Sequence, residues 1–238
     1  MRISLPKNRQ NHWFFALLVL LLASCLSKVP AQARPPVPEE DTQLWNDLQV
    51  AVPVTKRVDF NLFGTFRFGR DISIVVDRRI GAGFSYKAGR FVKQPDDFLT
   101  LSAWYLNIIT RPREGDKQHE NRLNLAATLR FPVGKVGLSD RNLFERRVRS
   151  PVSATRYRNR FQIDYPAKLK DGQFGVFASE EVFYDWSVDD WVRNRFSVGV
   201  SRRFNKHFTG DVYYMRQNDG RSRPGDLHVI GLTYRVRL

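Results

Sequence analysis

An all-β fold is predicted for this chain: a transmembrane antiparallel up-and-down β-barrel of ten to twelve strands, made with a cleaved N-terminal signal peptide. Three observations predict it. Apolar and polar residues alternate with period two through nearly everything after residue 41. A secretory leader stands ahead of that region. Beyond the leader no apolar run reaches the ~18 residues of a membrane helix, so any span must be built of strands.

The leader comes first. Arg2, Lys7 and Arg9 form a basic region, Trp13 to Leu26 an uncharged apolar run, and Ala31-Gln32-Ala33 a small-x-small cleavage site. Cleavage after Ala33 is the expectation, because the RPPVPEED that follows reads as a mature start. Leu22-Ala23-Ser24-Cys25 also resembles a lipobox, in which Cys25 would be lipidated. Cys25 is the only cysteine, so cutting after Ala33 leaves no thiol for a disulfide or a thiolate metal site. The organisation read from this is a signal peptide over 1–33, a short lead over 34–41 and a barrel over 42–238.

The chain has 39 Lys and Arg against 24 Asp and Glu, a net charge of +15. The leader holds four of the basic residues and no acid, which leaves +11 on the mature part. An exported chain rarely meets nucleic acid. The partners that this charge points to are outer-membrane lipid, lipopolysaccharide phosphate and an anionic solute. The closing strand would serve the barrel-assembly machinery, and the location expected is the bacterial outer membrane.

Eleven strand-like segments follow, at about 42–54, 58–69, 76–87, 97–109, 119–131, 136–148, 155–165, 173–185, 191–203, 208–217 and 227–238. Each is close to the ~9–11 residues, plus flanks, of a tilted membrane strand. In the second, Val58, Phe60, Leu62, Phe66 and Phe68 oppose Asp59, Asn61, Thr65 and Arg67. In the seventh, Tyr157, Phe161, Ile163 and Tyr165 oppose Arg156, Arg158, Arg160, Gln162 and Asp164. In the last, Ile230, Leu232, Tyr234, Val236 and Leu238 oppose Gly231, Thr233, Arg235 and Arg237.

Alternation alone fits a soluble sandwich equally well. Three features favour the membrane. The final apolar face runs to the last residue. Aromatics such as Trp45, Phe68, Tyr86, Phe131, Tyr165, Tyr184, Trp186, Trp191 and Tyr213 crowd segment ends, as interfacial girdles do. The connections alternate between tight, lysine-bearing ones (55–57, 87–89, 132–135, 168–172, 205–206) and longer polar ones (69–75, 111–119, 150–154, 218–226). Single-chain bacterial barrels have an even strand count. The eleven segments therefore predict twelve strands with one unrecognised, or ten with Gln43 to Val54 lying in the lumen, twelve being preferred.

On the polar face, arginines and acids lie in register: Arg122, then Arg141, Glu145 and Arg147, then Arg158, Arg160 and Asp164, then Glu181, then Arg193 and Arg195, then Asp211. In antiparallel neighbours such side chains come within pairing distance. Two roles are open to this ladder. Interdigitated Arg–Glu pairs would fill a narrow barrel and satisfy one another. Excess arginine would instead line a path for acidic solutes, as in a small anion-preferring channel. A third class, a membrane-embedded lipid hydrolase, needs a histidine with a serine and an orienting group. Of the mature histidines, His207 falls at a tight turn, His228 on the lipid-facing parity, and His119 in a long loop beside Glu120. No catalytic residue is assigned, and no motif for a cofactor or metal is present.

The pieces GAGFSYK (81–87), NLFERR (142–147), RYRNRFQIDYP (156–166), ASEEVFYDW (178–186), RNRFSVGVSRRFNKH (193–207) and HVIGLTYRVRL (228–238) form an ordered set after an opening Trp strand. Across Trp45 to Leu238 the chain resembles the uncharacterised bacterial outer-membrane barrels of domain of unknown function 2490. The resemblance implies a small outer-membrane barrel and no particular activity. The final Leu238 departs from the usual terminal aromatic.

Overall fold

The structure is a computed structural model that describes residues 39–112, 115–169 and 172–238. The signal peptide, its cleavage site, Cys25 and residues 34–38 lie outside the described residues.

The eleven segments are eleven strands: β1 (Glu40–Pro53), β2 (Val58–Gly69), β3 (Ile74–Lys87), β4 (Leu99–Thr110), β5 (Gln118–Val133), β6 (Val136–Arg149), β7 (Ala154–Leu169), β8 (Gly172–Asp185), β9 (Asp190–Arg203), β10 (Phe208–Asn218) and β11 (Asp226–Arg237). Each pairs with its sequence neighbours, and β1 closes on β11 to complete a barrel with no free edge. The count corrects the preference for twelve strands and the alternative of ten. Gln43 to Val54 does not lie in the lumen: its residues 43–53 belong to β1, which is paired on both sides.

Parity is accommodated at the seam. Ten successive reversals leave β11 running in the direction of β1, so that pair is parallel, from Glu40 opposite Asp226 to Ala51 opposite Arg237. All other pairs are antiparallel, which makes the sheet mixed where a wholly antiparallel one was expected.

The two classes of connection fall at opposite ends of the barrel. Residues 70–73, 111–117, 150–153, 186–189 and 219–225 join strands at one end, called here the loop end. Residues 54–57, 88–98, 134–135 and 204–207 join them at the other, the turn end, where β7 also meets β8. Length separates them less cleanly than expected. The connection at 88–98 is at the turn end and is long enough to carry a 3-10 turn (Gly89–Val92), whereas Gly69 to Val75 contracts to a four-residue link.

The barrel is polar inside and apolar outside. Among the described residues, buried polar and charged residues outnumber buried apolar ones by 18 to 11, the reverse of a water-soluble core. Outward positions carry exposed Leu62, Ile80, Phe84, Leu123, Leu125, Phe196, Val198, Val212 and Ile230, apolar side chains on most of the strands. Near the loop end Phe144, Tyr157, Tyr184, Trp186 and Trp191 form an outer aromatic cluster, with Phe144 stacked on Trp186 at 5.7 Å. Tyr86 with Phe91 and Phe204 with Phe208 do the same near the turn end.

Two aromatics expected in those girdles face inward. Trp45 is 3% exposed, and Tyr213 packs beside it. The register explains why. Trp45, Gly231, Tyr213, Gly199 and Phe177 lie in one row across β1, β11, β10, β9 and β8. A Cβ on Gly231 would fall 1.9 Å from the Tyr213 ring, and one on Gly199 2.6 Å from Phe177 Cζ. The glycines make room for rings that lie against the inner wall over the neighbouring strand.

Candidate functional site

The charge ladder begins where β5 and β6 face each other. Arg122 stands opposite Arg147 and Asn124 opposite Glu145, so inward residues two apart alternate in sign across the pair. Glu120 accepts from Arg122 Nε at 2.7 Å and from Arg147 Nε and Nη2 at 3.0 and 2.7 Å. Arg122 reaches on through Nη1 to Glu145 Oε1 at 2.9 Å, and the same oxygen takes Arg158 Nη1 at 2.7 Å.

Arg158 then forks onto both oxygens of Glu181, at 2.8 and 2.9 Å. Glu181 also accepts from Arg141 Nη2 at 2.6 Å and lies 3.7 Å from Arg195 Nη1. Arg195 donates from Nε to Gln217 at 2.8 Å, and Gln217 donates to the Gly225 carbonyl at 2.9 Å. One continuous network thus crosses β5, β6, β7, β8, β9 and β10 and ends in the 219–225 loop. Glu145, only 1% exposed, is its most buried carboxylate. Such groups persist in a dry interior only when each has a charged partner.

Of the eleven residues read from the sequence, seven share this network: Arg122, Arg141, Glu145, Arg147, Arg158, Glu181 and Arg195. Arg193 pairs separately with Asp219. Asp164 and Asp211 lie toward the turn end, where Asp164 accepts from Gln162 at 2.8 Å and Asp211 pairs with Arg235. Arg160 lies opposite Glu181 in register yet forms no ion pair with a described residue.

Sequence reading missed several members. His119 and Glu120 belong to β5, not to a loop, and Glu120 faces inward. Its even-numbered parity with Arg122 was the available signal. Asp77, which holds Arg79 through Nε at 2.8 Å, and Arg156, which donates to Asp185 at 3.1 Å, were also overlooked. So was Phe183, 1% exposed, which lies within 6 Å of the guanidiniums of Arg156, Arg158, Arg193 and Arg195.

Toward the loop end, ladder residues including Glu120, Arg122, Glu145, Arg158 and Arg195 themselves line a vestibule of about 520 Å³. Its rim includes Asp219, where burial raises the carboxyl pKa. That effect is outweighed by the Arg193 guanidinium and by hydrogen bonds from the Arg221 and Ser222 backbone N–H groups and the Ser222 hydroxyl. Asp219 is held below the usual aspartate range. Elsewhere, His207 Nδ1 donates to the Arg237 carbonyl at 2.6 Å, and His228 meets Glu40, Tyr214 and Arg216 on the outer face. Asn159 donates to Asp140 at 2.6 Å, also on the outer face. Among the described residues, no cluster of three or more His, Cys, Asp or Glu is placed to hold a metal ion.

An eleven-stranded mixed barrel with a charged lumen and an apolar exterior is therefore the class of protein. The family described as Protein of unknown function (DUF2490) matches residues 42–228, and the chain belongs to it. Comparison with curated proteins finds none that matches.

Proposed function

We propose that this protein is an exported, outer-membrane barrel whose lumen is sealed, serving as a membrane-embedded structural or interaction scaffold. The observation that carries the reading is the unbroken ladder from Glu120 to Gln217, in which every carboxylate is held by two or more arginines. Below it Tyr213 and Phe177 lie over Gly231 and Gly199, and Phe63 lies 5.9 Å from Trp104 on the opposite side. Rings against the wall and paired side chains between them narrow the path that a hydrated solute has to take. The exposed apolar side chains and the two aromatic rims support membrane integration, since only a closed strand system satisfies its backbone in lipid.

Two measurements test the reading. The native protein should resist alkaline carbonate extraction and migrate heat-modifiably on gels; release into the soluble fraction would refute membrane integration. The refolded barrel should be electrically silent in planar bilayers. Stable ohmic steps would refute closure and favour the anion-preferring channel, for which the lumen's arginine excess is the supporting observation.

A further inference from the structure

We propose that the loop-end vestibule is a binding site for a small, soluble, multiply charged phosphate compound, such as a phosphate ester or a diphosphate. The vestibule walls carry twelve arginines and six carboxylates, with no lysine or histidine. Glu181 and Asp190 pair Arg158, Arg195 and Arg221 from beyond the wall, and, Arg70 left out, eleven arginines among the described residues face eight carboxylates. A plug made only for stability would match its charges, because each unpaired buried guanidinium is costly. The arginines that these described carboxylates leave unmatched are open to a counter-anion from outside.

The guanidiniums left over converge from different strands. Among the described residues, the one ion pair of Arg67 on β2 is with Asp77, at 3.6 Å, and Arg79 already holds that carboxylate at 2.8 Å. Arg67 Nε is buried and has no hydrogen-bond partner. Arg195 on β9 reaches Glu181 at 3.7 Å, behind the closer Arg141 and Arg158. Both lie against the Trp45 ring, Arg67 at 3.5 Å and Arg195 at 4.9 Å, which fixes their positions without using their N–H groups. Arg156 on β7, 9% exposed, likewise has an unpartnered Nε. A tetrahedral phosphate offers oxygens in several directions to such a set, whereas a planar carboxylate saturates with one fork. The site lies inside the wall, so the phosphates of membrane lipid, anchored outside it, do not reach it. A soluble anion entering between the loops does.

The inference rests on the closed-lumen reading, and the two fail separately. The test is calorimetric titration of the refolded full barrel in zwitterionic detergent with inorganic pyrophosphate, citrate and glucose, paired with bilayer recording. Saturable pyrophosphate binding is expected, weakening as salt rises, with citrate at least about tenfold weaker and glucose silent. Arg67→Gln with Arg195→Gln should weaken it at least about tenfold, while Arg235→Gln at the turn end changes it less than about twofold. Should the double variant lose heat-modifiability, Arg111→Gln decides instead. Arg111 is at the vestibule rim and forms no ion pair with a described residue, and its loss should weaken binding about threefold. No saturable binding on a silent barrel, citrate binding as tight as pyrophosphate, or unchanged affinity in the vestibule variants would overturn the proposal. Binding accompanied by conductance would overturn closure and leave the site standing.

Discussion

Replacing Glu181 by Gln is the sharpest probe of the sealed lumen. Glu181 is 6% exposed and accepts three close charge-assisted bonds, one from Arg141 at 2.6 Å and two from Arg158 at 2.8 and 2.9 Å. A glutamine offers a single oxygen and no charge, so at best one of these survives in weakened form. Arg141 then has no other carboxylate within pairing distance among the described residues, while Arg158 keeps Glu145. Each charge-assisted bond is worth about 1.5–3 kcal/mol, and breaking a buried ion pair costs about 3–5 kcal/mol. The second figure governs, since the bonds share one carboxylate and do not add. Urea-induced unfolding in detergent micelles reads this directly. With a slope of about 2 kcal/mol per molar, the midpoint should drop by about 1.5–2.5 M. Arg160→Gln, on the same face without an ion pair to a described residue, should move it by less than about 0.5 M. An unshifted Glu181→Gln midpoint would refute the reasoning, because it would mean that water already solvates these arginines.

Three further outcomes follow from the wall and the rim. Leu232→Arg puts charge on the outer face of β11 and should cost about 2–4 kcal/mol near the bilayer midplane. Thr233→Arg, facing inward and opposite Asp211 and Asp47, should cost less; equal losses in vesicle refolding would reverse the inside–outside assignment. Gly231→Ala drives a methyl into the Tyr213 ring and should cost about 1–3 kcal/mol; Tyr213→Ala in the same chain should recover part of that, and an additive pair would refute the packing. Asp219 is depressed, so its contribution is present above the ordinary aspartate value and is lost as pH falls through its lower folded value. Protease resistance of the 219–225 loop should therefore persist at pH 5 and disappear only below about pH 4; loss at higher pH would contradict the pairing with Arg193.

The eleven strand segments and their positions were legible because each inward–outward alternation is local, although the parity rule turned the expected count to twelve. Every segment end read from sequence lies within four residues of the observed one. Strand parity was not legible, because the direction of the β1–β11 seam depends on two segments at opposite ends of the chain. Trp45 was misread although Asp41 and Gln43 share its parity. Those two bond one another at 2.9 Å, and Gln43 accepts the indole N–H at 2.8 Å, so a polar partner draws the ring inward. Tyr213 was misread although Asp211, read on the polar face, shares its parity on β10. The glycines that admit it are on β9 and β11, and only register brings them together. The ladder was partly visible for the same reason. Residues on neighbouring strands, such as Arg147 and Arg122, can be aligned from a hairpin, whereas the excess in the vestibule gathers Arg67 and Arg195 from remote strands.

The parallel seam has a consequence for how the chain sits across a bilayer. Because β1 starts at the loop end and β11 finishes at the turn end, the polypeptide enters the barrel wall at one end and leaves it at the other. A barrel with an even number of strands keeps both termini on the side from which it was delivered. On the membrane reading, this one must carry its leading end across during assembly. An epitope inserted just before Glu40 should then be reached by antibody on the side of the loops, and one appended to Leu238 only from the side of the turns.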